Sequence, residues 1–329
     1  MIGVKRTAIY TPEYTESARD LEKKTKIPEQ VIKDKFGLKQ KYIADSNEHT
    51  SDLAIKAGEK LLRNVNRHEV DVLIYFGSPH KDYQVWSCAP RIQHQLRLTN
   101  AYAFEVMNVS SCFPIALKIA KDMMTSDQSI NHILLVGGCK ESQIVDYDNP
   151  RSRFMFNFAD GGAAVLIGRN SNHQILDSGI ITDGSFSEDV FVPAGGTVYP
   201  ASIETVEKRQ HYIDVPHPKS MKERLDKVTV DNFIKSVSLA LEKSGLSIDD
   251  IDWLLPLHTK RSMFELLIKR LNLTPEQTVY LDEYGHMSAL DPCYGLHLLE
   301  QRGDVKKGDI IITMSAGTGY TWASTVIRW

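Results

Sequence analysis

Cys112 is the residue whose surroundings point most directly to chemistry. It closes the run Glu105-Val-Met-Asn-Val-Ser-Ser-Cys112, an apolar, strand-like segment ending in small polar residues, and Phe113-Pro-Ile-Ala-Leu-Lys-Ile-Ala120 follows with helical spacing. Proline is tolerated inside a helix only in its first turn, so Pro114 places the helix start near Cys112. Unpaired backbone N–H groups and the positive end of the helix dipole gather there, and both favour the nucleophilic thiolate. A buried structural cysteine is the competing reading, and this stretch alone does not choose between the two.

Partners for such a thiol belong at strand ends, where ligands bind in alternating α/β folds. His258 qualifies, directly after the apolar run Leu254-Leu-Pro-Leu257. So does His286, which follows Tyr284-Gly285 and precedes a helix at Pro292. The other histidines lie in polar stretches, strand starts or helix interiors and are read as structural or surface groups. Asp291 before Pro292 is the ordinary pattern of a helix N-cap. It can also orient His286, but a separation of five turns side chains ~140° apart on an ideal helix. The two therefore meet only if His286 lies on the loop before the helix. Gly317-Thr-Gly319 offers backbone N–H groups for an oxyanion, although a tight turn uses the same residues.

These residues need a frame, and the chain supplies one by alternation. Asp71–Phe76, Ala101–Val109, His132–Val136 (stopped by Gly137-Gly138) and Asp160–Ile167 read as strands, with helices at 17–35 (broken at Pro28), 53–62, 87–97 and after Cys112. The order then repeats. A helix over Val228–Ser244 precedes a strand over Asp252–Leu257, helices over Ser262–Leu271 and Pro292–Arg302, and strands over Asp309–Thr313 and from Gly317 to Trp329. Val70-Asp-Val-Leu-Ile-Tyr matches Ile251-Asp-Trp-Leu-Leu-Pro, and Asn131-His-Ile-Leu-Leu-Val matches Gly308-Asp-Ile-Ile-Ile-Thr. The expected fold is α/β, two duplicated halves over 1–170 and 171–329 packed as layers. The polar, Gly- and Pro-containing stretch 185–227 fits neither half and is expected to form a lid or loop over a site.

Composition removes whole classes of function. The chain has 329 residues, 39 basic and 42 acidic, for a net charge of −3. That balance argues against a nucleic-acid binder. An apolar share of 42% suits a sizeable core, and no apolar run approaches the ~20 residues of a membrane span. Met1-Ile-Gly-Val-Lys-Arg lacks the apolar core of a signal peptide. Cys88, Cys112, Cys139 and Cys293 lie far apart without a CxxC pair, so no metal site is expected and a reduced, cytoplasmic setting is.

Taken in order, Thr50-Ser-Asp-Leu-Ala54, Ser110-Ser-Cys112, Phe158-Ala-Asp-Gly-Gly-Ala-Ala164, Val192-Pro-Ala-Gly-Gly196, Asp249-Asp-Ile-Asp-Trp253 and Gly319-Tyr-Thr-Trp322 with the closing Ile-Arg-Trp form a pattern. The chain resembles the thiolase superfamily, and within it ketoacyl-acyl-carrier-protein synthase III. The resemblance implies a five-layered αβαβα fold, a homodimer and a cysteine that takes an acyl group from coenzyme A or an acyl carrier protein, with no permanently bound cofactor. It makes Cys112 the nucleophile and His258 the family histidine. Backbone N–H groups at Cys112 and Gly319 would form the oxyanion hole. The family asparagine lies in Gly-Asn-Thr-Ser-Ala, where this chain reads Gly285-His286-Met-Ser-Ala289, and Asp291 replaces a serine five places on. In the coenzyme A site, Arg151 and Lys35 match basic residues, but Val31 stands where a tryptophan stacks on adenine.

The asparagine substitution bears on the reaction. His and Asn together hold the malonyl thioester carbonyl during decarboxylation. A histidine with an aspartate partner suits general-base work on a hydroxyl or amine. The arrangement is similar to the acyltransferase branch of secondary metabolism. The expected function is acyl transfer through Cys112 to a small-molecule hydroxyl or amine. The alternative is decarboxylative condensation of the synthase III type.

Overall fold

The computed structural model describes residues 1–329. The first half holds β1 (Ile2–Tyr10), β2 (Tyr14–Ser17), α1 (Ala18–Thr25), α2 (Glu29–Val31), β3 (Gln40–Ile43), α3 (Thr50–Leu61), β4 (Val72–Tyr75), α4 (Cys88–Gln95), β5 (Tyr102–Glu105), α5 (Cys112–Ser126), β6 (His132–Lys140) and β7 (Asp160–Arg169). The second holds β8 (His173–Thr182), α6 (Ile203–Glu207), α7 (Pro218–Lys243), β9 (Trp253–Pro256), α8 (Arg261–Arg270), α9 (Asp291–Arg302), β10 (Ile310–Gly317) and β11 (Thr321–Arg328). Local chemistry sets many of the ends. Ser17 and Asp20 form a capping box at α1, and α9 carries Pro292 in its first turn and Gly303 in the left-handed conformation past its end.

Nine strands form one sheet in the order β5-β4-β6-β7-β1-β8-β11-β10-β9. β4 pairs in parallel with β5 and β6, and β9 pairs in parallel with β10. The halves meet through a short antiparallel contact, Gly3 with Gln174 and Val4 with His173. An isolated bridge between Leu254 and Thr278 stands where β5 stands in the first half, so the internal repeat extends to the sheet edge.

Side-chain alternation sorts the helices into layers. Val72, Ile74, Ile133 and Leu135 face a core shared with α5, α9, Leu255, Ile311 and Ile327. The alternate residues Leu73, Tyr75, Leu134 and Val136 pack under α3 and α4. Leu254, Ile312, Met314 and Val326 pack under α7 and α8. The result is five layers, with α5 and α9 sandwiched at the centre. This is the αβαβα arrangement of the thiolase fold.

Several expectations change. The strand expected over Ala101–Val109 ends at Glu105, and β1 and β8 lie in stretches not read as strands. Gly137-Gly138 does not stop β6, which continues to Lys140. A Cβ on Gly138 would lie 1.9 Å from the Thr50 carbonyl oxygen, so the glycine permits close packing on α3 rather than a turn. α7 begins at Pro218, ten residues before the expected Val228, so the end of the 185–227 stretch is helix. Asp291 is the first residue of α9 rather than its N-cap, a position taken by Leu290.

Candidate active site

Cys112 opens α5 and is fully buried. The Asn108 N–H donates to its Sγ at 2.6 Å. Burial nevertheless pushes the thiol up to about 12, and the Asn108 hydrogen bond only partly offsets this. The expected lowering by the helix terminus is therefore outweighed, and the resting residue is a thiol. The Cys112 N–H, expected to serve an oxyanion, donates to the Val109 carbonyl in a 3-10 turn. Gly317 lies against the same loop, where a Cβ would stand 2.4 Å from the Asn108 oxygen. Gly319, the other expected donor, has φ +131°, which favours glycine.

His258 follows β9, as its strand-end position requires. Its ring packs on Tyr280 at 4.9 Å between centroids. Both ring nitrogens are buried without a hydrogen-bond partner. Burial lowers its pKa to about 4, with the Asp291 charge opposing, so the imidazole is neutral at pH 7.

His286 lies on the loop before α9, the one placement that lets it reach Asp291. Gly285 makes the loop possible. Its φ is +82°, and a Cβ there would crowd Lys41 and Ala159 at 2.7 and 2.8 Å. Backbone hydrogen bonds pin His286 on both sides, from its N–H to the Asn157 oxygen and from the Ala159 N–H to its own oxygen, each 2.9 Å. That paired segment is held in turn by buried Lys41, whose Nζ donates to the Phe156 and Phe158 oxygens at 2.9 and 2.8 Å.

The Asp291 carboxylate gathers three donors. Oδ2 accepts from the His258 N–H at 2.7 Å and lies 2.5 Å from His286 Nδ1. Oδ1 accepts from the Met287 N–H at 2.7 Å. Burial alone would lower the pKa of His286, but the Asp291 charge and hydrogen bond, with the Glu141 charge, reverse this and raise it. With Nδ1 committed to Asp291, Nε2 is left 3.5 Å from Ser110 Oγ.

One cavity of about 1240 Å³ is lined by Ser110, Glu141, His258 and His286, but not by Cys112, Asp291 or Gly319, and is walled partly by residues of the 185–227 stretch. Lys35 and Arg151 line it, but Val31 does not. Arg151 is bound in a two-pronged ion pair to Asp214, at 3.0 and 2.7 Å. No cluster of three or more His, Cys, Asp or Glu is placed to hold a metal ion, and no helix is long and apolar enough to cross a membrane.

Two family models match the chain. The one described as 3-oxoacyl-[acyl-carrier-protein (ACP)] synthase III covers residues 104–184, and its C-terminal counterpart covers 241–329. The beta-ketoacyl-[acyl-carrier-protein] synthase III of Caldanaerobacter subterraneus subsp. tengcongensis is 34% identical over 99% of this chain and 97% of its own. The chain belongs to the 3-oxoacyl-[acyl-carrier-protein] synthase III family. The crystal structure of the Aquifex aeolicus synthase III is 26% identical over all of both chains, with a TM-score of 0.85. A priming beta-ketosynthase of the R1128 polyketide pathway has a TM-score of 0.88 at 19% identity, a likeness of fold alone. At the positions where the resemblance implies an asparagine and a serine, this chain carries His286 and Asp291, paired at 2.5 Å.

Sequence reasoning passed over Glu141, Ser110 and Ser288, which surround His286. The strand-end rule that selected His258 also selects Glu141, once β6 is allowed to run through its two glycines.

Proposed function

We propose that the protein is an acyltransferase working through an acyl-Cys112 intermediate and passing the acyl group to a hydroxyl or amine. The observation that carries this reading is the His286 Nδ1–Asp291 contact of 2.5 Å. With Nδ1–H given to Asp291, neutral His286 presents a lone pair on Nε2, the form a general base requires. In the first half-reaction the Cys112 thiol loses its proton to a neutral imidazole as sulfur attacks the thioester. The proton leaves with the departing thiol of acyl-coenzyme A or the acyl carrier protein. In the second, His286 takes the acceptor's proton as the new ester or amide bond forms, and the Cys112 thiolate recovers it. His258, neutral and with free ring nitrogens, serves the first step or polarises the carbonyl. Family membership supports a thioester donor, and the basic residues at the cavity mouth suit its phosphates. A homodimer and a place in secondary metabolism are part of this proposal.

Decarboxylative condensation is the second reading, favoured by the activity for which the full-length relatives are named. It needs a donor where the family has an amide, and His286 supplies an Nε2–H only as imidazolium. The two readings separate in one experiment. The protein is incubated with acyl-coenzyme A or acyl carrier protein and weighed intact, then chased with alcohols, amines or malonyl carrier protein. The proposal expects an adduct absent in Cys112→Ala, discharged by oxygen or nitrogen acceptors without release of carbon dioxide. Discharge only by malonyl carrier protein, with carbon dioxide released, overturns it.

A further inference from the structure

Glu141 is a buried acid without a basic side chain to neutralise it. It stands just past the end of β6 at 4% exposure, and the charged groups that act on it are His286 and His80. An unpaired buried carboxylate costs several kcal/mol, so its retention calls for a partner. The partner lies along a line of hydroxyls. Ser78 Oγ donates to Glu141 Oε1 at 2.8 Å, and the Ser288 hydroxyl is near enough to favour the ionised carboxyl. Ser288 Oγ lies 3.2 Å from Ser110 Oγ, which lies 3.5 Å from His286 Nε2. Ser110, Ser288 and Glu141 are all buried. Ser288 holds φ at +55°, a conformation costing a serine ~1 kcal/mol or more. His286 thus stands between two carboxyl groups, Asp291 in contact at Nδ1 and Glu141 two hydroxyls beyond Nε2. His258 is the other titratable group acting on it, and the Phe158 ring packs 5.2 Å from the imidazole.

We propose that Glu141 is a positioning residue for the transfer step, the anionic end of a Ser110–Ser288 hydroxyl chain that stabilises His286 once it has taken the acceptor's proton. The proposal rests on the acyltransferase reading. The acceptor's lone pair bonds to the acyl carbon, its proton moves to Nε2, and the carbon–sulfur bond to Cys112 breaks. While charged, Nε2–H donates to Ser110 Oγ, the Ser110 O–H to Ser288 Oγ, and the Ser288 O–H to Glu141. The proton then returns from Nε2 to the thiolate; burial raises the pKa of Glu141, and the charge on His286 with the Ser78 and Ser288 hydroxyls opposes that rise.

The test is the pH titration of the His286 imidazole by NMR in the whole protein, alongside the pH profile of transfer from pre-acylated Cys112. Glu141→Gln keeps the shape and removes the charge. It should move the His286 midpoint and the rising limb of the transfer profile down by about one pH unit, a tenfold change in proton affinity. Ser110→Ala, which cuts the chain and leaves the charge, should move both the same way by less, and Glu141→Asp should restore part of the shift. An unmoved His286 midpoint in folded Glu141→Gln overturns the proposal, and if Glu141→Gln does not fold, an unmoved midpoint in Ser110→Ala overturns it equally. The NMR midpoint reads the link between Glu141 and His286 even if wild-type acyl-Cys112 is never discharged by an oxygen or nitrogen acceptor. That second result sinks the acyltransferase reading instead.

Discussion

Replacing Asp291 by Asn should damage stability and transfer together, because one carboxylate holds two backbone N–H groups and the ring of the proposed base at once. Oδ2 accepts from the His258 N–H and faces His286 Nδ1, while Oδ1 accepts from the Met287 N–H. An asparagine has a single acceptor oxygen. With that oxygen turned to the two histidines, its NH2 confronts the Met287 N–H, donor against donor. One buried N–H is then orphaned at ~1–3 kcal/mol, and the remaining bonds lose their charge assistance, worth ~1 kcal/mol more. The sum is about 2–4 kcal/mol. For a chain of this length an unfolding entropy of ~0.7 kcal/mol/K turns that into a fall in Tm of roughly 3–6 °C. Transfer from acyl-Cys112 should fall ~10²–10⁴-fold, the range of a general base deprived of its correct tautomer. Losing the Asp291 charge also lowers the His286 midpoint. Denaturation curves report the first effect, and discharge of the intact-mass adduct reports the second. An Asp291→Asn protein as stable as wild type and transferring at the same rate refutes this double role.

His258 should make the fold acid-sensitive. Its pKa is about 4 in the folded protein against an ordinary 6.5, so the unfolded chain binds the extra proton first. Stability is then full above about pH 6.5 and falls as pH drops toward 4, by on the order of 3 kcal/mol. Urea midpoints across that range should flatten in His258→Gln. His286→Asn, which restores the family's amide, should cut transfer to alcohols or amines ~10²–10⁴-fold and raise carbon dioxide release from malonyl carrier protein; no change in either rate removes His286 from the mechanism. Lys41→Met leaves the Phe156 and Phe158 oxygens without their buried donor and should cost ~1–3 kcal/mol for each by denaturation, with transfer per folded molecule also reduced because the segment pairing with His286 loosens.

Much of this was legible in the residues, and the misses have physical causes. Apolar runs identified β4, β6, β7, β9 and β10, since a strand buried on both faces leaves an uninterrupted apolar segment, whereas β1 and β8, at the middle of the sheet, carry polar and charged residues and were not read as strands. The duplicated halves followed from matching two such runs. Gly137-Gly138 misled because a glycine pair marks a turn in most contexts, whereas here it clears the way for the Thr50 carbonyl, a contact 88 residues away in sequence. The start of α7 was hidden because residues 218–227 are rich in charge and carry little apolar periodicity. Asp291 showed its limits differently. Helical geometry stated the condition for it to reach His286, and only the fold meets it, through Gly285 and the pairing of His286 with residues 157–159.

The thiol exposes the deeper limit. The position of Cys112 at a helix N-terminus favours an activated sulfur, and burial, the competing reading, favours an inert one; the residues alone do not weigh one against the other. A helix terminus contributes ~0.3–1 kcal/mol to a nearby charge, up to ~2 kcal/mol when partly buried, whereas the burial that lifts the thiol to about 12 is worth several. Burial therefore wins, and Cys112 needs a base before it can attack. On the proposed reaction, that requirement would give the two histidines separate tasks. His258, stripped of hydrogen-bond partners, is neutral at any physiological pH and has a free nitrogen for the thiol proton, although the same burial makes it a weak base. His286, held between Asp291 and Glu141, has the higher affinity for a proton and suits the step in which one must be taken from an acceptor. On this assignment, replacing His258 should stop formation of the acyl-Cys112 adduct, whereas replacing His286 should let the adduct form and then persist. The reverse order would exchange their roles.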